Sequence, residues 1–263
     1  MIDKWRGKWS LVTGASAGIG LELAKLLAQN GSHLVLTARR TDRLQELASD
    51  LAAKYGIKTE ILSVDLTRPE APAEIFAATQ QKGIEIELLV NNAGFGAFGY
   101  AWEIPAEKMT EMVQVNCSAV VHLTRLYMPP MIARGHGDIL IVASVAGFQA
   151  VPYNAVYAAT KAFDFLFSMG IAEEARGKGV NVSALCPGST DTEFQKVAEQ
   201  PDRKIRSAET AEKVARVGLE ALAAGKPYVI SGAKNKLMTE FQRIAPRNFV
   251  VRMAGKMMRF TPK

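Results

Sequence analysis

The sequence predicts a single α/β domain built on a doubly wound parallel sheet of about seven strands. Three observations carry that expectation. Short Val/Ile/Leu runs alternate with longer stretches of helical period along most of the chain. The runs are continuously apolar instead of alternating with polar residues, as strands buried on both faces must be. The 263 residues contain no internal repeat, low-complexity tract or Gly/Pro/Ser-rich linker to divide them. With 48% apolar and 22% charged residues there is ample material for a core, which excludes disorder and collagen-like structure.

Taken in order, residues 9–13 read as a strand that breaks at Gly14, and Ile19, Leu23, Leu26 and Leu27 then recur at helical spacing, so 19–27 is a helix. A second strand covers 33–38 and an amphipathic helix 43–55. A third strand at 58–64 precedes a helix over 69–82, with Pro69 near its first turn. The fourth strand spans 87–90. One long helix over 106–133 leads to the fifth strand at 138–143, and a second over 154–176 to the sixth at 180–185. A helix at 208–223 and a strand at 227–230 complete the alternation.

Composition sets limits on partners and compartment. Eight basic residues and a single acid lie within 233–263, so this segment accounts for the whole net charge of +6 and the remainder is close to neutral. In 249–263, Arg252, Lys256, Arg259 and Lys263 form a basic stripe, while Phe249, Val250, Met253, Met257 and Phe260 form an apolar face. Such a helix suits peripheral contact with an anionic membrane, or docking onto its own core or a partner subunit. No base-reading motif or stacking platform accompanies the charge, which argues against nucleic acid. No apolar run approaches the ~18 residues of a membrane span, and the start lacks the apolar middle of a signal peptide. Cys117 and Cys186 sit in apolar stretches, as expected of a reducing, cytoplasmic setting. His33, His122 and His136 show no ligand spacing, so no metal site is expected.

The first strand–turn–helix reads Thr13-Gly14-Ala15-Ser16-Ala17-Gly18-Ile19-Gly20. Glycines there let backbone N–H groups approach a pyrophosphate at the positive end of the following helix. The end of the second strand, where a dinucleotide's adenosine ribose is read, carries Arg39-Arg40 and no carboxylate. A guanidinium is a charge-assisted partner for a 2′-phosphate, so NADP(H) is favoured over NAD(H), with Arg39 the nearer contact.

Further pieces follow in order: Asn91-Asn92-Ala93-Gly94 after the fourth strand, Asn116 in the long helix, Ser144 at the end of the fifth strand, Tyr157 and Lys161 four apart, and Pro187-Gly188 to Thr192 after the sixth. Over about residues 8–192 the chain here resembles the short-chain dehydrogenase/reductase family, which implies a Rossmann-like fold and a carbonyl/secondary-alcohol oxidoreductase. Tyr157 and Lys161 share one helix face, so the ammonium is expected to lower the pKa of the phenol. The resemblance implies that Tyr157 exchanges a proton with the substrate oxygen and that Ser144 hydrogen-bonds the same oxygen. It implies too that Lys161 also binds the nicotinamide ribose and that Asn116 holds a water linking Lys161 to solvent. Asp65 and Leu66 are expected on the adenine side, Asn92, Ala93 and Gly94 along the cofactor, and Pro187, Gly188 and Thr192 near its carboxamide. Asn91 is expected to tie loops together.

Substrate choice is expected from 193–207, a polar segment containing Pro201 that reads as a lid, and from the aromatics Phe95, Phe98, Tyr100, Trp102, Phe148 and Tyr153. They favour an apolar carbonyl, a 3-oxoacyl or steroid-like ketone, unless they pack the loop itself. The apolar excess of the two long helices resembles the family's dimer and tetramer contacts. Residues 1–232 read as the dinucleotide-binding and catalytic domain and 233–263 as its basic extension. The alternative, a cofactor-binding sensor without turnover, does not need the Tyr and Lys that are present.

Overall fold

A computed structural model describes residues 2–199 and 208–259. Residues 200–207 of the expected lid, including Pro201, and Phe260 and Lys263 of the expected tail stripe lie outside the described residues. Seven parallel strands form one sheet: β1 (Trp9–Thr13), β2 (His33–Ala38), β3 (Thr59–Ser63), β4 (Ile86–Asn91), β5 (Gly137–Val142), β6 (Val180–Cys186) and, because two short strands intervene, β9 (Tyr228–Ile230). The intervening strands, β7 (Thr190–Asp191) and β8 (Glu209–Thr210), pair with each other.

The strand order is β3-β2-β1-β4-β5-β6-β9, so the chain reverses its direction of travel across the sheet between β1 and β4. Connections leave to opposite sides there and open a crevice at the carboxyl ends of the strands. Alternate strand residues feed opposite layers: Val12, Leu36 and Val90 pack with α1 (Gly18–Gln29), α2 (Thr41–Tyr55) and α8 (Ala211–Ala223) through Leu23, Leu47 and Leu219. Leu11, Val35 and Leu89 pack on the other side with Ile75 of α3 (Ala71–Gln81) and Leu123 and Met131 of α5 (Ala119–Arg134). Each such leucine removed from water contributes about 1.5–3 kcal/mol.

Two expected elements need correcting. The helix assigned to 69–82 starts at Ala71, with Pro72 and not Pro69 in its first turn, where a missing N–H costs nothing. The long helix expected over 106–133 is not continuous. It comprises α4 (Ala106–Val113), a π-helical turn at Gln114–Ser118, and α5. A third long helix, α6 (Ala155–Glu174), packs on β6, and a short α7 (Phe194–Val197) follows β7. After β9 come two further helices, α9 (Ala233–Ile244) and α10 (Arg247–Met258). They return to the body: a side chain at Gly188 would collide with Asn235, Thr239 is buried, and Gly255 approaches Pro152. No helix among the described residues is long and apolar enough to cross a membrane.

Candidate active site

The glycine-rich turn is fixed by side chains the turn itself lacks. Thr13 Oγ1 donates to Val90 O at 3.1 Å and accepts from Asn92 N and Ala93 N at 2.9 Å, stitching β1 to the end of β4. Asn92 Nδ2 donates to Thr13 O at 2.8 Å. Gly14 and Gly18 adopt φ of 67° and 58°, the left-handed region that favours glycine. Gly20 is required by space, since a Cβ there would lie 2.3 Å from Asn92 Nδ2 and 2.4 Å from Gly14 O. Ala17, the residue before α1, offers no side-chain cap. The first-turn N–H groups of Gly18, Ile19 and Gly20 therefore point into the crevice without a side-chain acceptor, as an anionic phosphate requires.

At the edge of this cradle Arg40 donates to Ser16 Oγ at 3.1 and 3.2 Å, and Arg39 is exposed beside it. Arg40 and Arg43 both pair with Glu193 beyond Thr192, at 2.8 and 2.9 Å. Hydrogen bonds from Arg40 and Arg43 hold the Glu193 carboxyl down at about 2. The chain after β6 is thereby clasped to the arginine end of the cleft. Asp65 Oδ1 accepts from Thr67 N at 3.0 Å, so half of that carboxylate caps its own turn, and the Leu66 side chain is in the core. Asn92 spends its amide on the glycine turn, while Asn91 reaches Thr124 at 3.1 Å. Both asparagines thus tie strands and turns together.

The catalytic candidates converge at the carboxyl ends of β4 to β6. Ser144 is buried; its Oγ accepts from Ala146 N at 3.1 Å, capping a 3-10 turn (Val145–Phe148), and hydrogen-bonds Tyr157. Its long 3.5 Å contact to Pro187 O leaves the hydroxyl proton weakly committed. The π turn brings Asn116 inward to pair with the 94–102 loop: Oδ1 accepts from Phe95 N at 3.1 Å, and Nδ2 donates to Phe95 O and Thr160 Oγ1, both at 3.0 Å. Lys161 is buried, with Nζ donating to Val142 O at 2.8 Å and Asp164 Oδ2 at 2.9 Å.

Burial raises the Tyr157 phenol; Lys161 pulls it down as expected, and so does Ser144, but with Asp164 raising it again the phenol lies above its ordinary value. The Lys161 Nζ sits 6.0 Å from the ring centroid and faces the Asp164 carboxylate. Phe194 of α7 lies tilted against the Tyr157 ring at 5.1 Å between centroids.

The expected aromatics divide. Phe95 packs on the core, and Phe148 lies against Phe165 at 4.6 Å. Tyr100 stacks on Trp102 at 4.7 Å and meets Tyr153 edge-on at 5.2 Å, with Phe98 beyond Tyr153 at 6.2 Å. Tyr153 holds a φ of 66°, a strained conformation for a bulky side chain between Ser144 and Tyr157. Phe98 N donates to Ala198 O at 3.0 Å and Gly99 N to Tyr153 O at 2.9 Å, so the 94–102 loop is joined both to the segment after Thr192 and to the segment before Tyr157. Thr160 and Asp164 are site residues that motif reading missed, and Thr13, Glu193 and Phe194 take their particular contacts only from the fold; their types recur everywhere, and only the fold shows what they face.

Away from the cleft, Glu85, Glu87 and His136 gather ligand atoms within 4.8 Å despite their unremarkable spacing. Arg134 lies 3.9 and 3.7 Å from the two glutamates and already supplies their cation.

The family model for short chain dehydrogenases matches residues 8–203. A very-long-chain 3-oxoacyl-CoA reductase of Mus musculus is 35% identical over 247 residues, covering 92% of this chain and 76% of that protein. A structure of a 7β-hydroxysteroid dehydrogenase superposes with a TM-score of 0.87 at 27% identity, covering 97% of this chain and 99% of the other. A short-chain dehydrogenase from Sphingobium yanoikuyae in complex with NADPH superposes with a TM-score of 0.83 at 27% identity, covering 97% and 98%. This is an NAD(P)-dependent oxidoreductase acting between a carbonyl and an alcohol. The chain belongs to the short-chain dehydrogenase/reductase family.

Proposed function

We propose that the protein reduces the 3-oxo group of an apolar, acyl-thioester-like substrate with NADPH, Tyr157 donating the proton. The observation that carries this is the convergence of Ser144, Tyr157 and buried Lys161 beside the uncapped start of α1. A dinucleotide fits the chain's own features: no side chain caps the start of α1, and the Gly14–Gly20 turn is packed too closely against Asn92, with Thr192 against the Gly18 position, to carry side chains of its own there. Bound there, the cofactor supplies hydride to the carbonyl carbon. Ser144 Oγ then holds the carbonyl oxygen, Tyr157 transfers its proton to it, and Lys161 stabilises the phenolate left behind. Asn116 acts through the Phe95 wall that it builds. Ser16, Arg39 and Arg40 form the basic cradle that supports a preference for a 2′-phosphate over a bare ribose hydroxyl. The long-chain acyl reading rests on the named relatives and on the aromatic cluster at the mouth.

Two features of the surface extend the proposal. Val113, Ile132, Phe163 and Leu166 are exposed on α4 to α6, which supports a homodimer or homotetramer. Leu237, Phe241 and Ile244 on α9 and Phe249 and Met253 on α10 are exposed among Lys and Arg, which supports peripheral contact of the 233–263 extension with an anionic membrane from the cytoplasmic side.

The test is NADPH oxidation with 3-oxoacyl-CoA substrates of increasing chain length, against steroid ketones and small diketones, with NADH as control. Turnover that rises with chain length, prefers NADPH and falls about 10²- to 10⁴-fold in Tyr157→Phe is expected. Retained turnover in Tyr157→Phe overturns the assignment of the acid, and activity confined to small polar ketones overturns the acyl substrate.

A further inference from the structure

Asp164 follows the catalytic lysine by three positions on α6, so both side chains lie on one face of the helix. It is fully buried, an uncommon place for a carboxylate unless it is paired. One oxygen, Oδ2, accepts from Lys161 Nζ at 2.9 Å; the other, Oδ1, has no hydrogen-bond partner among the described residues. Leaving a carboxylate oxygen buried and unsatisfied is costly, and an apolar residue would fill this space more cheaply. The charge is aimed at the ammonium that the reaction uses, and the proposed function gives it no task.

We propose that Asp164 is a positioning residue for Lys161, sharing the ammonium's charge and anchoring it against Val142 O so that Tyr157 keeps its proton at neutral pH and serves as an acid in reduction. Val142 O and Asp164 take two of the three Nζ donors and leave one for the cleft. The groups that face this pair from other elements do not compensate its charge. Cys117 of the π turn and Cys186 of β6 are both pushed up to about 12 by burial and stay neutral, and Ser144, from beyond β5, is uncharged. Tyr157 completes the surroundings from α6 itself. Burial lifts the Asp164 carboxyl, with Lys161 opposing; burial lowers Lys161, but Asp164 and Tyr157 outweigh it. A lysine whose charge is shared lowers the phenol less than a free one does, and the phenol accordingly stays above its ordinary value. The chemical balance is that of ketone reduction: hydride to carbon, the Tyr157 proton to oxygen, and a solvent proton back to the phenolate. A protonated Tyr157 serves that direction, whereas alcohol oxidation needs the phenolate. The overall equilibrium is untouched; what changes is the pH range in which each direction runs.

This inference rests on the reading of Tyr157 as the acid, and the experiment separates the two. The pH profile of kcat/KM for ketone reduction is measured for the wild type, Asp164→Asn and Tyr157→Phe, with NADPH binding and thermal melting recorded on each. Reduction falls as pH rises through the Tyr157 value, because protonated phenol is lost. Removing the Asp164 charge lowers that value, so in Asp164→Asn the alkaline limb moves to lower pH by about one unit or more. An unmoved limb in a folded, NADPH-binding Asp164→Asn overturns the proposal, while an active Tyr157→Phe overturns the underlying reading instead. Asp164→Ala carries the same test in less volume. Independently of any Asp164 variant, the ultraviolet difference between wild type and Tyr157→Phe should show no phenolate at neutral pH; a phenolate signal there overturns the proposal.

Discussion

Thr13 shows how much of a cofactor site can hang on one hydroxyl. Its oxygen accepts from two backbone N–H groups and donates to Val90 O, holding the ends of β1 and β4 at a fixed separation. Thr13→Val keeps the shape and strands two part-buried donors. A loss of about 1–3 kcal/mol is expected, seen as a fall of several degrees in Tm together with weaker NADPH binding by fluorescence titration; an unchanged Tm would sink the account. Residues at this scale differ in how openly the sequence declares them. Tyr157 and Lys161 are legible because an i, i+4 pair has only one geometric meaning on a helix. Asp164 has the spacing of any surface i, i+3 ion pair, such as Arg243 with Glu240, and only burial reveals the difference. The tie from Asn92 to Thr13 O was not legible, since a motif fixes position in the chain and not the direction of an amide.

Among the elements, α1 and the π turn make opposite uses of the helical backbone. The start of α1 leaves N–H groups without side-chain acceptors for a ligand, whereas the π turn widens the ladder to deliver one side chain, Asn116, to the 94–102 loop. The glycines of α1 follow from this directly. Gly20→Ala forces a methyl into contact with Asn92 Nδ2 and Gly14 O, so the turn must open. We expect about 1–3 kcal/mol of destabilisation and loss of NADPH binding, measured by melting with and without cofactor; a variant that still gains thermal stability from NADPH would contradict it. Strand and helix order was legible throughout because apolar periodicity is local. The break at Gln114–Ser118 was hidden because a π turn inserts one residue without a Gly or Pro to mark it. The position of α7 was not legible, because the segment after Thr192 is held by the remote pairs Arg40–Glu193 and Tyr157–Phe194.

For the molecule as a whole, the terminal helices carry the proposed membrane contact. The tail stripe was legible as amphipathic, but sequence left open whether its apolar side docks inward. Asn235 and Ala254 face the body, while Leu237 is 74% and Ile244 82% exposed. Co-sedimentation with anionic vesicles is expected at low salt, weakening as salt screens the basic residues, and the pair Leu237→Glu and Phe241→Glu should abolish it while leaving turnover of a short soluble substrate intact. Sedimentation unaffected by these changes would count against α9. The parallel sheet carries a separate consequence, for biosynthesis. The phosphate cradle at Gly14–Gly20 leaves the ribosome early, yet its neighbour β4 follows only after β2, β3 and three helices, and the Thr192 side of the cleft later still. At about 5–20 residues per second that interval is on the order of 10 to 40 s. During it the two sides of the cleft do not yet exist together, so a ligand that needs both can secure only a chain that has already closed.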